Sequence, residues 1–235
     1  MPQVRLYIDS PFEEGVSLSL SPDQGHYLMH VMRLQSGDPV HVFNGRDGEW
    51  CGAFQPHKRT AHILLKSEVK AQVAQQGPGL IFSPLKPKRL EFLVEKATEL
   101  EVKNLYPATM DHTSYAWMKV EKIQSYAIEA AEQSERLTVP EIAEMQKLPA
   151  LLKGWDPEYP VFWAAERGDH PPLKTVLENI QSPTFLIGPE GGFSEKEVHL
   201  LQDLPFVIPV SLGPTILRAE TAALMCLSLW RGEQL

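Results

Sequence analysis

Cysteine is scarce in this chain of 235 residues, which contains only Cys51 and Cys226. The two lie far apart and show neither the paired spacing of a zinc site nor the pattern of a disulfide framework. We therefore expect two buried, reduced thiols in a protein of the cytosol. No cluster of His, Cys and Asp suggests a metal, and we expect no metal site.

Long apolar segments are also missing. The most apolar stretch near the end of the chain is AALMCLSLW, residues 222–230, whereas a membrane-spanning helix needs roughly 20 residues. The first residues, MPQVRLYIDSPFEEG, lack the basic, apolar and small-residue succession of a signal peptide. These absences predict a cytoplasmic protein without a membrane partner.

Positive charge is not in excess, because the formal net charge is −8. A generic nucleic-acid binder usually carries a basic balance. The deficit is uneven, however: residues 1–70 hold seven Lys/Arg and eight Asp/Glu, whereas residues 71–235 hold fifteen and twenty-two. An RNA partner would need a local patch, and the near-neutral first segment is the better candidate for it.

The pattern of predicted secondary structure changes near residue 72. Before it, short β-like runs alternate with turn signals such as Asn44-Gly45 and Asp47-Gly48, interrupted by one helix-like segment at 26–34. The polar stretch at 71–79 ends in Gly-Pro-Gly and is typical of a linker. We predict a small β-barrel at 1–72, a linker at 73–79 and a second domain at 80–235.

Strand-like and helix-like segments alternate in the second domain. The strand-like runs are GLIFSPL, NLYPATM, PVFWAAE, TFLIGPE and FVIPVSLG. Between them lie helical patterns, of which KRLEFLVEKATELEV has apolar residues at helical spacing. This alternation predicts an α/β domain with a parallel sheet.

The sharpest local feature is TFLIGPEGGFSEKEV, residues 184–198, in which an apolar strand runs into Gly-Pro-Glu-Gly-Gly. Ser194 follows as a good helix N-cap. Glycines allow a backbone to approach a ligand closely, and strand ends of α/β sheets bind ligands. No Lys-Ser/Thr follows, so the loop is not a Walker motif, and a plain tight turn is the alternative.

A second strand, turn and helix occupy residues 207–224, with Gly213-Pro214 at the turn. Arg218, Glu220 and Thr221 are crowded between apolar residues and an Ala-rich helix. Glu220 and Thr221 could simply favour a first helical turn, and Arg218 could be a surface charge. Two glycine loops at successive strand ends nevertheless favour a shared pocket.

Three further groups of charged or polar residues lie on the predicted helices or at their ends. Glu91, Glu95 and Glu99 share one helix face, which favours a solvated acidic surface. The basic cluster of Lys86, Lys88 and Arg89 faces solvent or contacts phosphate. Gln133 and Arg136 close another predicted helix.

Together these segments resemble one family. GPEGGFS (188–194), LGPTILRAETA (212–222), EKATEL (95–100) and EQSER (132–136) are similar to the motifs of the RsmE family, which methylates N3 of a uridine in 16S ribosomal RNA. The resemblance covers nearly the whole chain, and the two glycine motifs are highly specific in combination.

The resemblance implies a SPOUT-type α/β fold with a deep trefoil knot, preceded by a PUA-like β-barrel. It also implies a homodimer that binds S-adenosylmethionine in the knot and acts on 16S ribosomal RNA of the small subunit. The cofactor residues that it implies, extended by neighbours of the two loops, are Ala165, Glu166, Ile187, Gly188, Glu190, Gly191, Gly192, Leu212, Gly213, Ile216, Leu217 and Thr221. The RNA-binding candidates are Arg5, Arg33, Lys86, Lys88, Arg89, Gln133 and Arg136.

Methylation of uridine N3 requires removal of a proton and stabilisation of the charge that develops on O2 and O4. Arg218 is our candidate for the stabilising cation. Glu190, Glu220 and Glu95 are candidate bases that the sequence does not rank. A knotted methyltransferase acting on transfer RNA or another base, and a non-catalytic RNA-binding protein with the same fold, remain alternatives.

Two positions depart from the family pattern. The family usually has Gly where this chain has Glu101, at the end of a helix where a left-handed conformation is common. The family also tends to place an Arg shortly after a Thr-Ser pair, whereas Thr113-Ser114 is followed by Tyr115.

Overall fold

A computed structural model describes residues 4–57, 60–115, 118–166 and 168–234. The chain divides into two compact units. The first comprises Met1–Gln75 and Ala131–Val139, and the second comprises Gln76–Ala130 and Pro140–Leu235.

The first unit is built on a five-stranded sheet with the order β1-β3-β4-β5-β2. Its strands are β1 (Arg5–Tyr7), β2 (Ser17–Ser19), β3 (Pro39–Phe43), β4 (Glu49–Pro56) and β5 (Ala61–Lys70). β1 and β3 are parallel, and the other pairs are antiparallel. Alternate residues such as Val40 and Val42 point into one core, because side chains alternate across a strand. The predicted β-rich N-terminal domain is therefore confirmed.

One helical segment interrupts these strands, as the sequence predicts. Helix α1 (Pro22–His26) continues directly into a π-helical turn at Tyr27–Val31. Ser21 and Gln24 form a reciprocal capping box at its start. The chain leaves the segment through Arg33, whose φ of 56° is left-handed.

The return segment Ala131–Val139 is attached to the first unit by hydrogen bonds from β1. Arg5 donates from Nη1 to the carbonyl of Ala131 at 2.7 Å and from Nη2 to the carbonyl of Arg136. The amide of Tyr7 donates to Oε1 of Glu132 at 2.8 Å. Because these partners lie more than 120 residues apart along the chain, no local pattern indicates the attachment.

The second unit contains the predicted parallel sheet. Its strands are β6 (Gly79–Phe82), β7 (Asn104–Thr109), β8 (Glu141–Ile142), β9 (Gln146–Lys147), β10 (Val161–Ala164), β11 (Thr184–Ile187) and β12 (Val207–Val210). The order is β12-β10-β11-β6-β7-β8, β9 also pairs with β7, and every pair is parallel. The central strands β6 and β11 are buried along their whole length. This is expected because both faces of a parallel sheet are usually covered by helices.

Between residues 76 and 234, the described ranges contain six helices. They are α2 (Pro87–Glu99), α3 (Val120–Gln133), α4 (Leu148–Lys153), α5 (Leu173–Val176), α6 (Glu195–Asp203) and α7 (Ala219–Glu233). The predicted apolar face of α2 is buried at Leu90, Leu93, Val94 and Ala97, and α2 packs against α7. None of the helices in the described ranges is long and apolar enough to span a bilayer.

Just after the end of α2, Glu101 adopts a left-handed conformation at the position where the family usually has glycine. Glu101 has φ 65°. The amide of Val102 donates to the carbonyl of Ala97 at 3.0 Å, and the amide of Glu101 donates to that of Thr98 at 3.1 Å. This pair of bonds defines a Schellman motif, in which a non-glycine residue is strained. The Glu101 carboxylate forms an ion pair with Arg231 of α7.

Candidate active site

The carboxyl ends of β10, β11 and β12 lie side by side at one edge of the second sheet. The segments that leave these three strands enclose a cavity of about 340 Å³. Its walls are Ala164–Glu166 after β10, Ile187–Glu190 with Phe193 after β11, and Leu212–Ala219 with Ala222 after β12. Adjacent parallel strand ends form the usual ligand crevice of an α/β sheet, and this volume suits a small-molecule site.

Hydrogen bonds hold the loop after β11 in place. Ser194 caps α6 in a capping box with Glu197, which confirms the predicted N-cap. The buried Glu197 carboxylate also accepts a hydrogen bond from the amide of Asp111 at 2.9 Å. Nδ1 of His112 lies 3.1 Å from the carbonyl of Gly191 and 3.0 Å from that of Gly192. The loop is therefore anchored to the segment that follows β7.

Close packing explains two of the glycines in this loop. A Cβ atom on Gly188 would lie 2.5 Å from the ring of Phe193, which packs edge-on against Trp163. Gly192 has φ 70°, a conformation that L side chains rarely adopt, and its added Cβ would lie 3.3 Å from Oε2 of Glu166. A larger residue would therefore clash at Gly188 and would be strained at Gly192.

Arg89, in the first turn of α2, lies between two of the candidate bases. Its Nη1 forms an ion pair with Oε1 of Glu190, and its Nε lies 3.6 Å from Oε1 of Glu220. Glu190 lines the cavity and its side chain is 42% exposed, whereas Glu220 is buried. Oε2 of Glu220 has no hydrogen-bond partner among the described residues. Arg89 itself lines the cavity.

Arg218 lines the cavity at the N-cap position of α7. Its carbonyl accepts the amide of Ala222 at 2.8 Å, so its backbone starts the helix. Its exposed side chain forms no hydrogen bond or ion pair with residues of the described ranges. The guanidinium is thus available to a ligand in the cavity.

Most of the predicted cofactor residues line this one cavity. They are Ala165, Glu166, Ile187, Gly188, Glu190, Leu212, Gly213, Ile216 and Leu217. Gly191, Gly192 and Thr221 lie outside its lining, and Thr221 is exposed on α7.

Glu95 does not share the site with the other candidate bases. It lies two turns along α2 from the cavity end and accepts a hydrogen bond from Lys96 at 2.7 Å. Hydrogen bonds to Glu95 and Glu99 raise the pKa of Lys96. The acidic face of α2 is therefore partly neutralised, and Glu95 does not line the cavity.

Arg5, predicted to bind RNA, is an interior side chain that is only 5% exposed. Its Nε donates to Oε2 of Glu49 at 2.8 Å, and its guanidinium carbon lies 3.7 Å from the centroid of the Phe43 ring. Burial raises the pKa of Glu49, but hydrogen bonds from Arg5 and His41 outweigh it and the net pKa is lowered. The geometry assigns Arg5 to the core, because its donors are used inside the unit.

The other RNA-binding candidates are dispersed over the two units. Arg33 is exposed in the first unit, and Gln133 is exposed at the end of α3. Arg136 is half-buried, and its Nη2 lies 3.3 Å from Oγ1 of Thr138. Lys86 and Lys88 are exposed where α2 begins in the second unit.

Sequence reasoning missed the position of Arg89 in the cavity and that of Tyr115 beside it. Tyr115 is exposed and borders a small crevice together with Lys86 and Glu190. Arg89 lies in the first turn of α2, the helix that follows β6, and β6 is next to β11 in the sheet. The order of the strands could therefore have placed Arg89 near the loop after β11. The described residues contain no group of three side chains suited to a metal ion.

Comparison with known proteins agrees with this arrangement. Residues 76–231 match the model of the RNA methyltransferase domain, and residues 20–63 match that of the RNA methyltransferase PUA domain. The chain is 30% identical over 227 residues to ribosomal RNA small subunit methyltransferase E of Rickettsia conorii, covering 95% of this chain and 93% of that protein. The protein of the same name from Bacillus subtilis is 28% identical, and the match covers 94% of this chain and 95% of that protein.

Solved structures share the fold. Ribosomal RNA small subunit methyltransferase E from Neisseria gonorrhoeae, bound to S-adenosyl methionine, has a TM-score of 0.86 at 24% identity and covers 98% of this chain and 97% of its own. A Legionella pneumophila methyltransferase in complex with the cofactor SAM has a TM-score of 0.82 at 25% identity, with 99% and 98% covered. By its matching domain models and full-length relatives, the chain belongs to the ribosomal RNA small subunit methyltransferase E family, the RsmE family of RNA methyltransferases.

Proposed function

We propose that this chain transfers a methyl group from S-adenosylmethionine to N3 of a uridine in 16S ribosomal RNA. The observation that carries the proposal is the cavity at the ends of β10, β11 and β12, because it joins both glycine loops to an available arginine and a carboxylate. Family membership supports the reaction class. An enzyme with this substrate acts in the cytoplasm, on the small ribosomal subunit.

The residues around the cavity fit this cofactor. Leu212, Ile216 and Leu217 offer apolar contacts to an adenine, and the backbone of Gly188 and Gly213 is open to close approach. The carboxylates of Glu166 and Glu190 suit a ligand that carries an ammonium and a sulfonium charge. When bound, the cofactor supplies an electrophilic methyl group.

Glu190 is the candidate base that we retain. It lines the cavity and is solvent-accessible, whereas Glu220 is buried and Glu95 is paired with Lys96 outside the cavity. Arg218 would stabilise the negative charge that spreads to O2 and O4 as uridine N3 loses its proton. A target base must leave its stack to reach a site of this kind.

RNA would be held by exposed side chains, and we retain Arg33, Gln133, Lys86 and Lys88 for this role. Removing a phosphate contact should weaken RNA binding and reduce its salt dependence, while affinity for the cofactor is unchanged. Arg33→Ala and Lys88→Ala test the two units separately.

We further propose that the chain is a homodimer and contains a deep trefoil knot in its C-terminal half. Support for the dimer is the exposed apolar surface at Ile216, which is 82% exposed, and Met225 of α7. Light scattering should give twice the chain mass, and Met225→Glu should reduce it; a wild-type monomer at micromolar concentration would exclude the dimer.

The decisive experiment combines cofactor binding with methyl transfer. Calorimetry should detect S-adenosylmethionine binding without RNA or metal. Labelled cofactor should then methylate purified small subunits that lack the modification, and nucleoside mass spectrometry should identify 3-methyluridine. Transfer to tRNA instead would favour a different knotted methyltransferase. Cofactor or RNA binding without any transfer would favour a non-catalytic protein.

A further inference from the structure

Arg89 holds the carboxylate that we propose as the base. The ion pair between Nη1 of Arg89 and Oε1 of Glu190 lies at the cavity wall. A carboxylate next to a guanidinium is a weaker base, because the opposite charge favours its ionised form. Glu190 is therefore a stronger base once Arg89 has moved away from it.

Glu220 provides the place to which Arg89 can move. Its Oε1 already lies 3.6 Å from Nε of Arg89, and its Oε2 has no partner in the described part of the chain. The Glu220 side chain is 11% exposed, and the residue as a whole 8%. A buried, unpaired carboxylate oxygen is costly, so an approaching guanidinium would be stabilised there.

The exposures of the three side chains fit such an exchange. Arg89 is 30% exposed and Glu190 is 42% exposed, so their pair can open toward the cavity. Glu220 is held in the first turn of α7, and Arg89 in the first turn of α2, which packs against α7. The planar guanidinium can reach one carboxylate through Nη1 while it faces the other through Nε.

We propose that Arg89 is a positioning residue that exchanges partners, from Glu190 to Glu220, and thereby releases Glu190 for catalysis. The inference rests on the proposed function of the cavity. The N3–H proton of uridine passes to Glu190, and the N3 electron pair forms the new bond to the methyl carbon. The methyl–sulfur bond breaks, and its electron pair remains on sulfur.

Single-turnover methylation of small subunits tests the exchange. Glu220→Gln removes the second acceptor charge, so Arg89 remains on Glu190 and the rate should fall at least about tenfold. Cofactor affinity should stay within about twofold. Adding Arg89→Met to Glu220→Gln should restore most of the rate, because the base is no longer masked. Glu91→Gln, on the exposed side of α2, is the matched control and should keep the wild-type rate.

Recovery of the methylation rate in the double variant distinguishes the exchange from a purely structural role of Arg89 and Glu220. If the two residues were only structural, the two substitutions together would lower the rate further. A Glu220→Gln rate equal to wild type, or a double variant as slow as Glu220→Gln, overturns the inference. If wild-type protein binds the cofactor but methylates no RNA, the proposed function fails, and the next measurement still tests the exchange.

The Arg89 Nε–H resonance provides a readout that requires no activity. It can be assigned by its loss in Arg89→Met. Glu190→Gln leaves Glu220 as the only carboxylate of the pair, and Glu220→Gln leaves Glu190 as the only one, although each glutamine still offers a neutral carbonyl acceptor. The wild-type chemical shift should lie between those of the two variants. A wild-type shift that coincides with that of Glu220→Gln would mean that Arg89 is fixed on Glu190, and the inference would be wrong.

Discussion

Replacing Arg5 with Met should destabilise the first unit rather than weaken an RNA contact. The guanidinium donates at 2.8 Å to Glu49, at 2.7 Å to the carbonyl of Ala131, and also to that of Arg136. Methionine keeps an apolar stem of similar length but supplies none of these donors. Glu49, whose side chain is 2% exposed, would lose its main counter-charge.

The magnitude follows from the burial of this pair. Removing one partner of a buried ion pair typically lowers the free energy of unfolding by about 3–5 kcal/mol, because the remaining charge is left uncompensated. Lys70 lies 3.8 Å from Glu49 and His41 lies 2.8 Å from it, so the lower part of that range is expected. Whole domains are stable by only about 5–15 kcal/mol, so the change is a large fraction.

At acidic pH, the free energy of unfolding of Arg5→Met should differ less from that of the wild type. The pKa of Glu49 is lowered in the folded protein from its ordinary value of 4.5, because hydrogen bonds from Arg5 and His41 outweigh burial. The stabilisation is therefore complete above the ordinary pKa and is lost as the pH falls through the folded one. The deficit of Arg5→Met should be largest at neutral pH and should shrink below about pH 4.5.

Urea unfolding followed by circular dichroism, at neutral and acidic pH, measures this deficit. Arg46→Met is the matched control: Arg46 pairs with Asp9 at 2.9 Å, but both side chains are more than half exposed, so little stability should be lost. The assignment of Arg5 to the core would be refuted by an Arg5→Met variant of wild-type stability that binds RNA more weakly and with a reduced salt dependence.

Three further variants test other parts of the structure. Glu101→Gly should raise the free energy of unfolding by up to about 1 kcal/mol, because it relieves a left-handed residue and loses only a partly exposed pair with Arg231, whereas Glu101→Ala should lower it. Gly188→Ala should weaken cofactor binding at least tenfold in calorimetry and destabilise the protein by about 1–3 kcal/mol, since its Cβ would lie 2.5 Å from the Phe193 ring; unchanged affinity would place the cofactor elsewhere. Arg218→Ala should slow single-turnover methylation by about 100- to 1,000-fold with little change in cofactor affinity, and a folded variant with a near-normal rate would remove Arg218 from the mechanism.

Local sequence patterns determined most of the secondary structure. The apolar alternation of PVHVF gives β3, and the helical spacing of Leu90, Leu93, Val94 and Ala97 gives the buried face of α2. Both patterns act over a few residues, since each reflects the period of one element. The two-residue strands β8 and β9 and the short helices α4 and α5 were not predicted, because elements of this length carry too few residues for a period.

The sequence also indicated the loops of the candidate site, because glycine, proline and N-cap residues act locally. The conformation at Glu101 shows the limit of this reasoning. The helix end keeps its Schellman hydrogen bonds, and a glutamate adopts φ 65° there, because the bonds to Ala97 and Thr98 outweigh the local preference.

Only the tertiary structure decided which charged residues meet. Folding left Glu95 outside the cavity and buried Glu220. It brought Arg89 to Glu190, which is 101 positions away in the sequence. It also placed Arg5 in the core, where it forms a hydrogen bond with a residue 126 positions away. In the sequence alone, one arginine or glutamate cannot be distinguished from another by its ionic chemistry. Burial and partner are set by strand order and helix packing, which join residues distant along the chain, and these decide whether such a side chain is structural or available for catalysis.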